Sequence, residues 1–245
     1  MYSTHGAALK HDRMFALPAL AAKVIRKSLG HAIPARWRLA LEYYLYRFSA
    51  DCEPELKWLE KICPRGTVAL DVGANIGVYS YRMAQLYSQV YAFEINPDLT
   101  DSLAAFGSDR ITVIAKGLSS SEGSVTLRTP IVNRIALTGW ASLEVGNCPD
   151  ADEYLERAVD VATLDSFHLR AVSLIKIDVE GHELEVLRGA ANTLIENRPV
   201  VVVEIKEKNR AAVESFFARL KYRSRTLDDL VGKPGGSENH IFLPQ

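Results

Sequence analysis

The chain has few cysteines and no excess of charge of one sign, and these absences exclude several classes of function. Its 245 residues include three cysteines, Cys52, Cys63 and Cys148, which are widely spaced and form no C-x-x-C pair. The sequence therefore indicates neither a disulfide framework nor a cysteine-based zinc site, and it favours a cytoplasmic location. With 29 basic and 30 acidic side chains the formal net charge is −1, so no nucleic-acid partner is expected.

Long hydrophobic runs are also absent. The one candidate targeting segment runs from Met14 to Ala22, nine uncharged residues, which is too short to span a bilayer. Lys23, Arg26 and Lys27 continue it as a basic amphipathic helix. We expect no transmembrane segment and a helix that packs against the protein or a partner, with weak membrane contact through residues 14–29 as the alternative.

Composition and length favour one folded α/β domain with an extension. Apolar residues make up 48% of the chain and charged residues 24%, as in ordinary globular proteins. We divide the chain into a helical N-terminal extension, residues 1–50, and a single domain, residues 51–245. In the extension, Trp37, Leu41, Leu45 and Phe48 recur at spacings of three and four, which predicts an amphipathic helix.

Short apolar runs then alternate with helical patterns, which predicts a doubly wound α/β fold with a mostly parallel, seven-stranded sheet. The strand candidates include TVALDV, QVYAFE, ITVIAKG, SLIKIDV and PVVVVEI. Helices are predicted over Glu183 to Glu196 and Ala211 to Leu220. The runs Tyr222 to Thr226 and His240 to Leu243 predict edge strands, one of them antiparallel.

One stretch, Thr129 to Glu153, has no clear periodicity. Loops of this length in compact domains are usually functional or disordered. We interpret it as a lid or substrate wall, with Trp140 in contact with the substrate. A poorly ordered insertion is the alternative.

The strongest local motif is DVGANIG, Asp71 to Gly77, which follows a predicted strand and opens a helix. Gly73 and Gly77 allow a sharp turn and close approach of the backbone to a ligand, and the loop N–H groups, with those of Ala74 and Asn75, can bind a carboxylate. Asp71 can accept a hydrogen bond from an ammonium group. The motif therefore predicts a loop that binds a nucleotide-like cofactor.

A second acidic residue supports that prediction. Glu94 ends the next predicted strand, 23 residues after Asp71, where a carboxylate can bind the hydroxyls of a ribose. Position 75 is Asn75 rather than the middle glycine of G-x-G-x-x-G, which disfavours a dinucleotide. S-adenosylmethionine has no phosphate and carries an amino acid end, so it suits this loop better. Ser119 is a further candidate cofactor contact.

The second motif, LIKIDVEGHELEVLRGA, ends a buried strand in a cluster of acids. Ligands of open α/β sheets bind beyond the carboxyl ends of the strands, so Asp178, Glu180 and, after the next strand, Glu204 should meet Asp71 and Glu94 there. Our candidate general bases are Glu180, His182 and Glu204, in that order.

Other roles for these residues stay open. Asp178 would orient the complex and contact the cofactor, and Glu180 and His182 would also contact the substrate. Asp178 and Glu204 could instead hold a divalent metal, and His182 could be a solvated residue at the start of a helix.

These motifs resemble the FkbM-type methyltransferases. The matching stretches lie between Pro54 and the C-terminal residue of the sequence and are VALDVGANIGVYS, AFEINP, VATLDSF, LIKIDVEGHELEVLRGA, VVVEI and ENHIFLP. The resemblance implies a class I, Rossmann-like fold and O-methylation of a sugar or small-molecule hydroxyl with S-adenosylmethionine. It also implies that Asp71, Gly73, Asn75 and Gly77 form the cofactor loop and that Glu94 binds the ribose. It implies no particular acceptor or oligomeric state.

Three other functions were weighed. An NAD(P)-dependent oxidoreductase is disfavoured by the missing middle glycine and by the lack of a Tyr-x-x-x-Lys pair in the expected region. A nucleic-acid methyltransferase is disfavoured because the strand tip reads Asp-Val-Glu-Gly rather than a proline-rich motif with an aromatic end. A degenerate fold that only binds a partner is disfavoured by the intact glycine loop and Glu94.

Overall fold

The computed structural model describes residues 33–50, 52–63, 66–145, 148, 150–232 and 239–245. The predictions for Met14 to Ala22 and for membrane contact through residues 14–29 lie outside these residues, as does most of the predicted extension. The helices are α1 Ala35–Arg47, α2 Pro54–Ile62, α3 Val78–Leu86, α4 Pro97–Ala104, α5 Glu183–Arg188, α6 Ala191–Asn197, α7 Arg210–Arg219 and α8 Leu227–Val231. The strands are β1 Val68–Val72, β2 Gln89–Phe93, β3 Ile111–Ile114, β4 Gly117–Leu118, β5 Gly123–Val132, β6 Ile135–Ala136, β7 Glu153–Ala162, β8 Val172–Ile177, β9 Val200–Glu204, β10 Tyr222–Arg225 and β11 Asn239–Pro244.

The main sheet has seven strands in the order β10-β11-β9-β8-β1-β2-β3. Strands β1, β2, β3, β8 and β9 pair in parallel, whereas β11 is antiparallel to both of its neighbours, β9 and β10. The sheet is therefore mixed, and the antiparallel strand lies one place in from the edge. The prediction of an antiparallel edge strand was wrong in this respect. Ile241 and Phe242 of β11 are fully buried, whereas β10 is largely polar, so the more polar strand takes the edge.

Helices cover both faces of this sheet. Leu70 of β1 and Ile175 of β8 face a cluster that includes apolar residues of α5, α6 and α7. Ala69 and Leu174 face the opposite cluster, formed with α2, α3 and α8. Burial on both faces explains why these strands read as continuous apolar runs. The carboxyl ends of β1, β2, β8 and β9 therefore lie at one edge of a covered sheet.

A second, four-stranded sheet has the order β4-β7-β5-β6 and was not predicted. Strands β5 and β7 pair antiparallel from Gly123 opposite Val161 to Ile131 opposite Glu153. Part of the predicted loop from Thr129 onward is thus strand. The alternation was hard to detect because β5 contains Pro130 and both strands are half-exposed over most of their length.

The helix predicted over Glu183 to Glu196 is two helices, α5 and α6, with a break at Gly189 and Ala190. A Cβ on Gly189 would lie 2.0 Å from the Ser119 carbonyl oxygen. The break therefore permits a close contact between this turn and the residue after β4. The prediction missed it because glycine and alanine within an apolar helical pattern do not by themselves end a helix.

Helix α1 is amphipathic, as predicted, but it packs on the other face. Leu39 and Tyr43 are buried, whereas the predicted core residues are exposed. Those exposed residues are Trp37, Leu41, Leu45 and Phe48. Both sets have helical spacing, so periodicity alone could not choose between them. Within the described residues, no helix is both long enough and apolar enough to cross a membrane.

Candidate active site

A pocket of about 390 Å³ lies at the carboxyl edge of the central strands. Seven of the residues singled out in the sequence line it: Gly73, Asn75, Glu94, Trp140, Asp178, Glu180 and His182. Five others do not contribute to its wall: Asp71, Ala74, Gly77, Ser119 and Glu204. The fold thus brings the glycine loop, the acid after β2 and the acid cluster after β8 to one cavity.

The glycine loop packs tightly against the end of β8. Gly73 has φ +79°, and a Cβ on it would lie 1.8 Å from the Asp178 carbonyl oxygen. The N–H groups of Gly73 and Ala74 both donate to the Phe93 carbonyl, at 2.9 and 3.0 Å. The loop is therefore held by β2 and β8 within the protein, and these two N–H groups are already engaged rather than directed at a ligand.

Glu94 directly follows β2 and is buried. Its Oε2 accepts the Asn75 N–H at 2.6 Å and its Oε1 accepts the Asn96 N–H at 2.7 Å. Burial raises the pKa of Glu94 above its usual value, although these N–H bonds favour the charged form. Because each carboxylate oxygen can accept more than one hydrogen bond, Glu94 can still receive hydroxyl groups from the pocket.

Asp71 is buried beneath the loop rather than exposed at the strand tip. Its Oδ2 accepts the Ser80 hydroxyl of α3 at 2.5 Å. Burial raises the pKa of Asp71 to about 6, and the Ser80 hydrogen bond and the Lys176 charge oppose this shift. In this structure Asp71 fixes α3 to β1, and it does not reach the pocket wall.

A buried lysine, which sequence reasoning missed, lies beneath the acid cluster. Lys176 of β8 is 1% exposed, and its Nζ lies 2.9 Å from Asn239 Oδ1, 3.6 Å from Asp178 Oδ2 and 3.7 Å from Glu53 Oε2. A lysine inside an apolar strand run is the signal that could have revealed it, because buried lysines are almost always paired. Although burial lowers the pKa of Lys176, the charges of Asp178 and Glu53 raise it.

Asp178 carries this charge to the pocket wall. Burial raises its pKa to about 7, Lys176 opposes the shift, and the nearby Glu204 and Glu53 add to it. Its carboxyl group therefore titrates near neutrality when no ligand is bound. A cation in the pocket would favour the charged form.

Glu53 links this network to the N-terminal helices. It accepts hydrogen bonds from Tyr79 at 2.8 Å, from Asn239 at 2.8 Å and from Tyr46 at 3.4 Å. Burial raises the pKa of Glu53, but Lys176 and these bonds outweigh it, so the pKa lies below its usual value. Tyr46 of α1 also lines the pocket, so the predicted extension contributes a residue to the site.

Glu180 and Glu204 share one lysine. Lys206 Nζ lies 3.0 Å from Glu180 Oε2 and 2.9 Å from Glu204 Oε1. Although burial lowers the pKa of Lys206, the Glu204 hydrogen bond and the Glu180 charge raise it above its usual value. Glu180 has φ +51° and its carbonyl accepts the Ser142 hydroxyl at 2.7 Å. The turn is therefore held in a conformation that non-glycine residues seldom adopt.

His182 lies between two partners. Its Nδ1 is 2.8 Å from Glu144 Oε1 and its Nε2 is 3.0 Å from Ser119 Oγ. Glu144 belongs to the stretch that had no periodicity, so sequence reasoning did not identify it. The arrangement is a carboxylate, an imidazole and a hydroxyl in a row, in which the carboxylate can fix the Nδ1 proton and leave Nε2 as the acceptor.

The predicted metal site has no support in this geometry. Among the described residues, no group of three or more histidine, cysteine, aspartate or glutamate side chains is arranged to hold a metal ion. Asp178 and Glu204 each lie against a lysine instead. Divalent metal binding remains a prediction.

Comparison with known proteins identifies the family. The methyltransferase FkbM domain matches residues 71–224, which is more than half of the chain. The hexuronic acid methyltransferase AglP of Haloferax volcanii is 34% identical over 147 residues, which cover 56% of this chain and 55% of that protein. The chain thus spans about half the length of this curated relative.

Two solved structures are similar in fold. A methyltransferase FkbM from Methylobacillus flagellatus KT shares 19% identity with a TM-score of 0.47 and covers 89% of this chain and 60% of its own. A ribosomal protein L11 methylase from Lactobacillus delbrueckii subsp. bulgaricus shares 13% identity with a TM-score of 0.46 and covers 81% of each chain. Because both TM-scores are below 0.5, the assignment rests on the domain match over residues 71–224. It confirms the resemblance described above: the chain belongs to the FkbM methyltransferase family.

Proposed function

We propose that this protein transfers a methyl group from S-adenosylmethionine to a hydroxyl group of a sugar or another small molecule. The observation that supports it best is the convergence of the glycine loop, Glu94, Asp178 and His182 on one pocket of about 390 Å³. We further propose that residues 51–245 form the Rossmann-like catalytic domain. In this division the extension completes the site through Tyr46.

The wall of the pocket suits this cofactor at both of its ends. Glu94 would accept the ribose hydroxyls, and Ile95 and Leu118, which also line the pocket, would contact the adenine ring. The sulfonium and ammonium groups are cations, and Asp178 is a carboxyl group that a nearby cation would keep charged. When bound, S-adenosylmethionine supplies an electrophilic methyl group on a positively charged sulfur.

A dinucleotide fits this pocket less well. Among the described residues that line it, none is a lysine or an arginine, whereas Glu94, Asp178 and Glu180 are acids. A pyrophosphate would therefore lie against carboxylates without a cationic side chain on the wall. This electrostatic mismatch supports a methyltransferase over an NAD(P)-dependent oxidoreductase.

We assign the general base to His182. Glu180 and Glu204 share Lys206, which stabilises their charged forms and weakens both as bases. Glu144 would fix the proton on Nδ1 of His182, so that Nε2 can accept the proton of an acceptor hydroxyl. Ser119 now occupies that position at 3.0 Å, and it would share Nε2 with the acceptor. Glu144 would then stabilise the imidazolium that forms.

The acceptor would bind against Trp140. This side chain is 54% exposed, lines the pocket and belongs to a short helical turn, Thr138–Trp140. Exposed aromatic rings at a pocket mouth can pack against the apolar face of a sugar ring while carboxylates bind its hydroxyls. The relative from Haloferax volcanii is named for a sugar acid as its substrate, which supports a sugar as the acceptor class here.

The first test is calorimetric titration with S-adenosylhomocysteine, because it does not require the acceptor. We expect micromolar binding that Glu94→Ala weakens by about tenfold, or ~1.4 kcal/mol. The matched control is Glu122→Ala, an exposed acid beyond the pocket. Titration with NAD separates the alternative cofactor. Binding of NAD and not of S-adenosylhomocysteine would overturn the proposal, as would equal affinities of the Glu94 and Glu122 variants.

A further inference from the structure

Helix α1 presents an apolar stripe to solvent. The stripe consists of Trp37, Leu41, Tyr44, Leu45 and Phe48. At 3.6 residues per turn these five side chains fall within roughly 100° around the helix axis. Trp37 is 58% exposed and Phe48 is 81% exposed. Contiguous apolar surface that includes large aromatic side chains is unusual on a protein that has no partner for it.

The stripe is not the face by which the helix joins the domain. Leu39 and Tyr43 lie on the opposite side and are buried, and the helix packs against α3. Tyr46, on that same inner side, lines the active-site pocket. Since α1 already has an intramolecular partner for one face, the stripe is available to a partner outside the described part of the chain.

Positive charge accompanies the stripe. Arg38 and Arg47 follow its two sides by helical geometry. The sequence is also asymmetric: residues 1–48 contain eight lysines and arginines but only two acidic residues, whereas residues 49–245 contain 21 and 28. The region around the stripe is therefore basic although the whole chain is nearly neutral.

We propose that α1 binds the surface of a membrane that contains anionic lipids. The helix would lie in the plane of the interface, with the stripe among the upper acyl chains and the arginines on the lipid phosphates. Tryptophan, tyrosine, phenylalanine and leucine on one side with basic residues at the flanks are typical of such helices. A second copy of this chain fits less well, because two equally basic surfaces would face each other.

This placement has a geometric consequence for the active site. The stripe and Tyr46 lie on opposite sides of one helix, so the pocket would face the domain from directly behind the membrane-bound surface. The inference does not depend on the identity of the cofactor or on the methyl-transfer reaction.

The test is co-sedimentation of the full chain with vesicles. One set contains phosphatidylcholine alone and the other contains phosphatidylcholine with phosphatidylglycerol. We expect binding to the anionic vesicles, weaker binding to the neutral ones, and release by salt. The double variant Trp37→Ser, Phe48→Ser should bind the anionic vesicles about tenfold more weakly.

The matched control is Leu155→Ser, Ile195→Ser, which replaces two exposed apolar residues elsewhere on the surface. It should bind vesicles as the wild type does. Both double variants should keep the thermal midpoint of the wild type, because all four side chains are exposed. The proposal fails if the wild type does not bind anionic vesicles or if the two double variants bind them equally. Self-association in solution that only the stripe substitutions abolish would also overturn it, and would identify the stripe as a contact between copies.

Discussion

The two walls of the pocket are built differently. On one wall, the glycine loop and Glu94 are held almost entirely by backbone N–H groups at the ends of β1 and β2. On the other, Trp140, Glu144 and His182 depend on side chains from a stretch between β6 and β7. The first wall is therefore fixed by the fold itself, whereas the second is fixed by a few side-chain contacts. We expect the first to determine cofactor affinity and the second to determine turnover and acceptor choice.

The largest expected effect separates the walls through the base. His182→Ala should lower kcat by roughly 10²–10⁴-fold, the usual contribution of a general base. Glu144→Gln should lower kcat by about tenfold, because the amide keeps the shape of the side chain but stabilises the imidazolium less. Both should bind S-adenosylhomocysteine with wild-type affinity. Initial-rate kinetics, together with calorimetry, provide the measurement.

Glu122→Ala serves as the control for these two variants. If His182→Ala weakened cofactor binding as much as it slowed turnover, the two walls would not be separable and the role of His182 as the base would be wrong. Unchanged kcat in the same variant would equally exclude it.

The next effect separates the walls through the glycine loop. In Gly73→Ala the new Cβ would meet the Asp178 carbonyl at 1.8 Å in addition to the strain of φ +79°. We expect a loss of roughly 3 kcal/mol in the free energy of unfolding and about hundredfold weaker binding of S-adenosylhomocysteine. Urea denaturation and calorimetry measure the two quantities.

Gly107→Ala is the matched control, because Gly107 also has a positive φ, +64°, but nothing lies within 4 Å of its Cβ position. It should lose only about 1 kcal/mol, the cost of the backbone conformation alone. Equal losses in the two variants would show that the close contact with Asp178 does not matter.

The smallest effect concerns Asp178, which lies where the walls meet. Because its pKa is raised to about 7 in the ligand-free protein, it is mostly neutral at about pH 6 and mostly charged at about pH 8. A cationic ligand binds the charged form, so affinity for S-adenosylmethionine should fall about tenfold between these two conditions as the pH is lowered. Calorimetry in buffers of different ionisation enthalpy would also detect the proton released on binding below neutrality.

Asp178→Asn should bind S-adenosylmethionine weakly and show little of this pH dependence. S-adenosylhomocysteine lacks the sulfonium charge, so the wild type should show a smaller pH effect with it. A pH profile that is identical in the wild type and in Asp178→Asn would assign the titration to another group.

The sequence predicted the parts of the fold that depend on local patterns. Continuous apolar runs located β1, β8 and β9, and DVGANIG located the glycine loop before α3. The position of β11 was misjudged because the choice between an edge and an inner place depends on burial, which Ile241 and Phe242 acquire only from their neighbours. The β5 and β7 strands were missed because their pairing is between residues distant in sequence.

The same limit applies to the site. Glu94, Asp178 and His182 could be predicted to meet because the carboxyl ends of parallel strands share one edge. Lys206 and Glu144, which decide which of these groups can act as a base, could not be predicted. Their distances to Glu180 and His182 depend on side-chain packing between segments that the sequence keeps far apart.

Strand β11 has a consequence for how the site assembles. It inserts between β9 and β10, and its Asn239 bonds to Glu53, which lies 186 positions earlier in the chain. Contacts of such high sequence separation form late, because the loop they close is long. We therefore expect a nascent chain on the ribosome to keep Lys176 without its full set of partners until β11 has emerged. Completion of the buried network would then be the step that commits the protein to its native sheet.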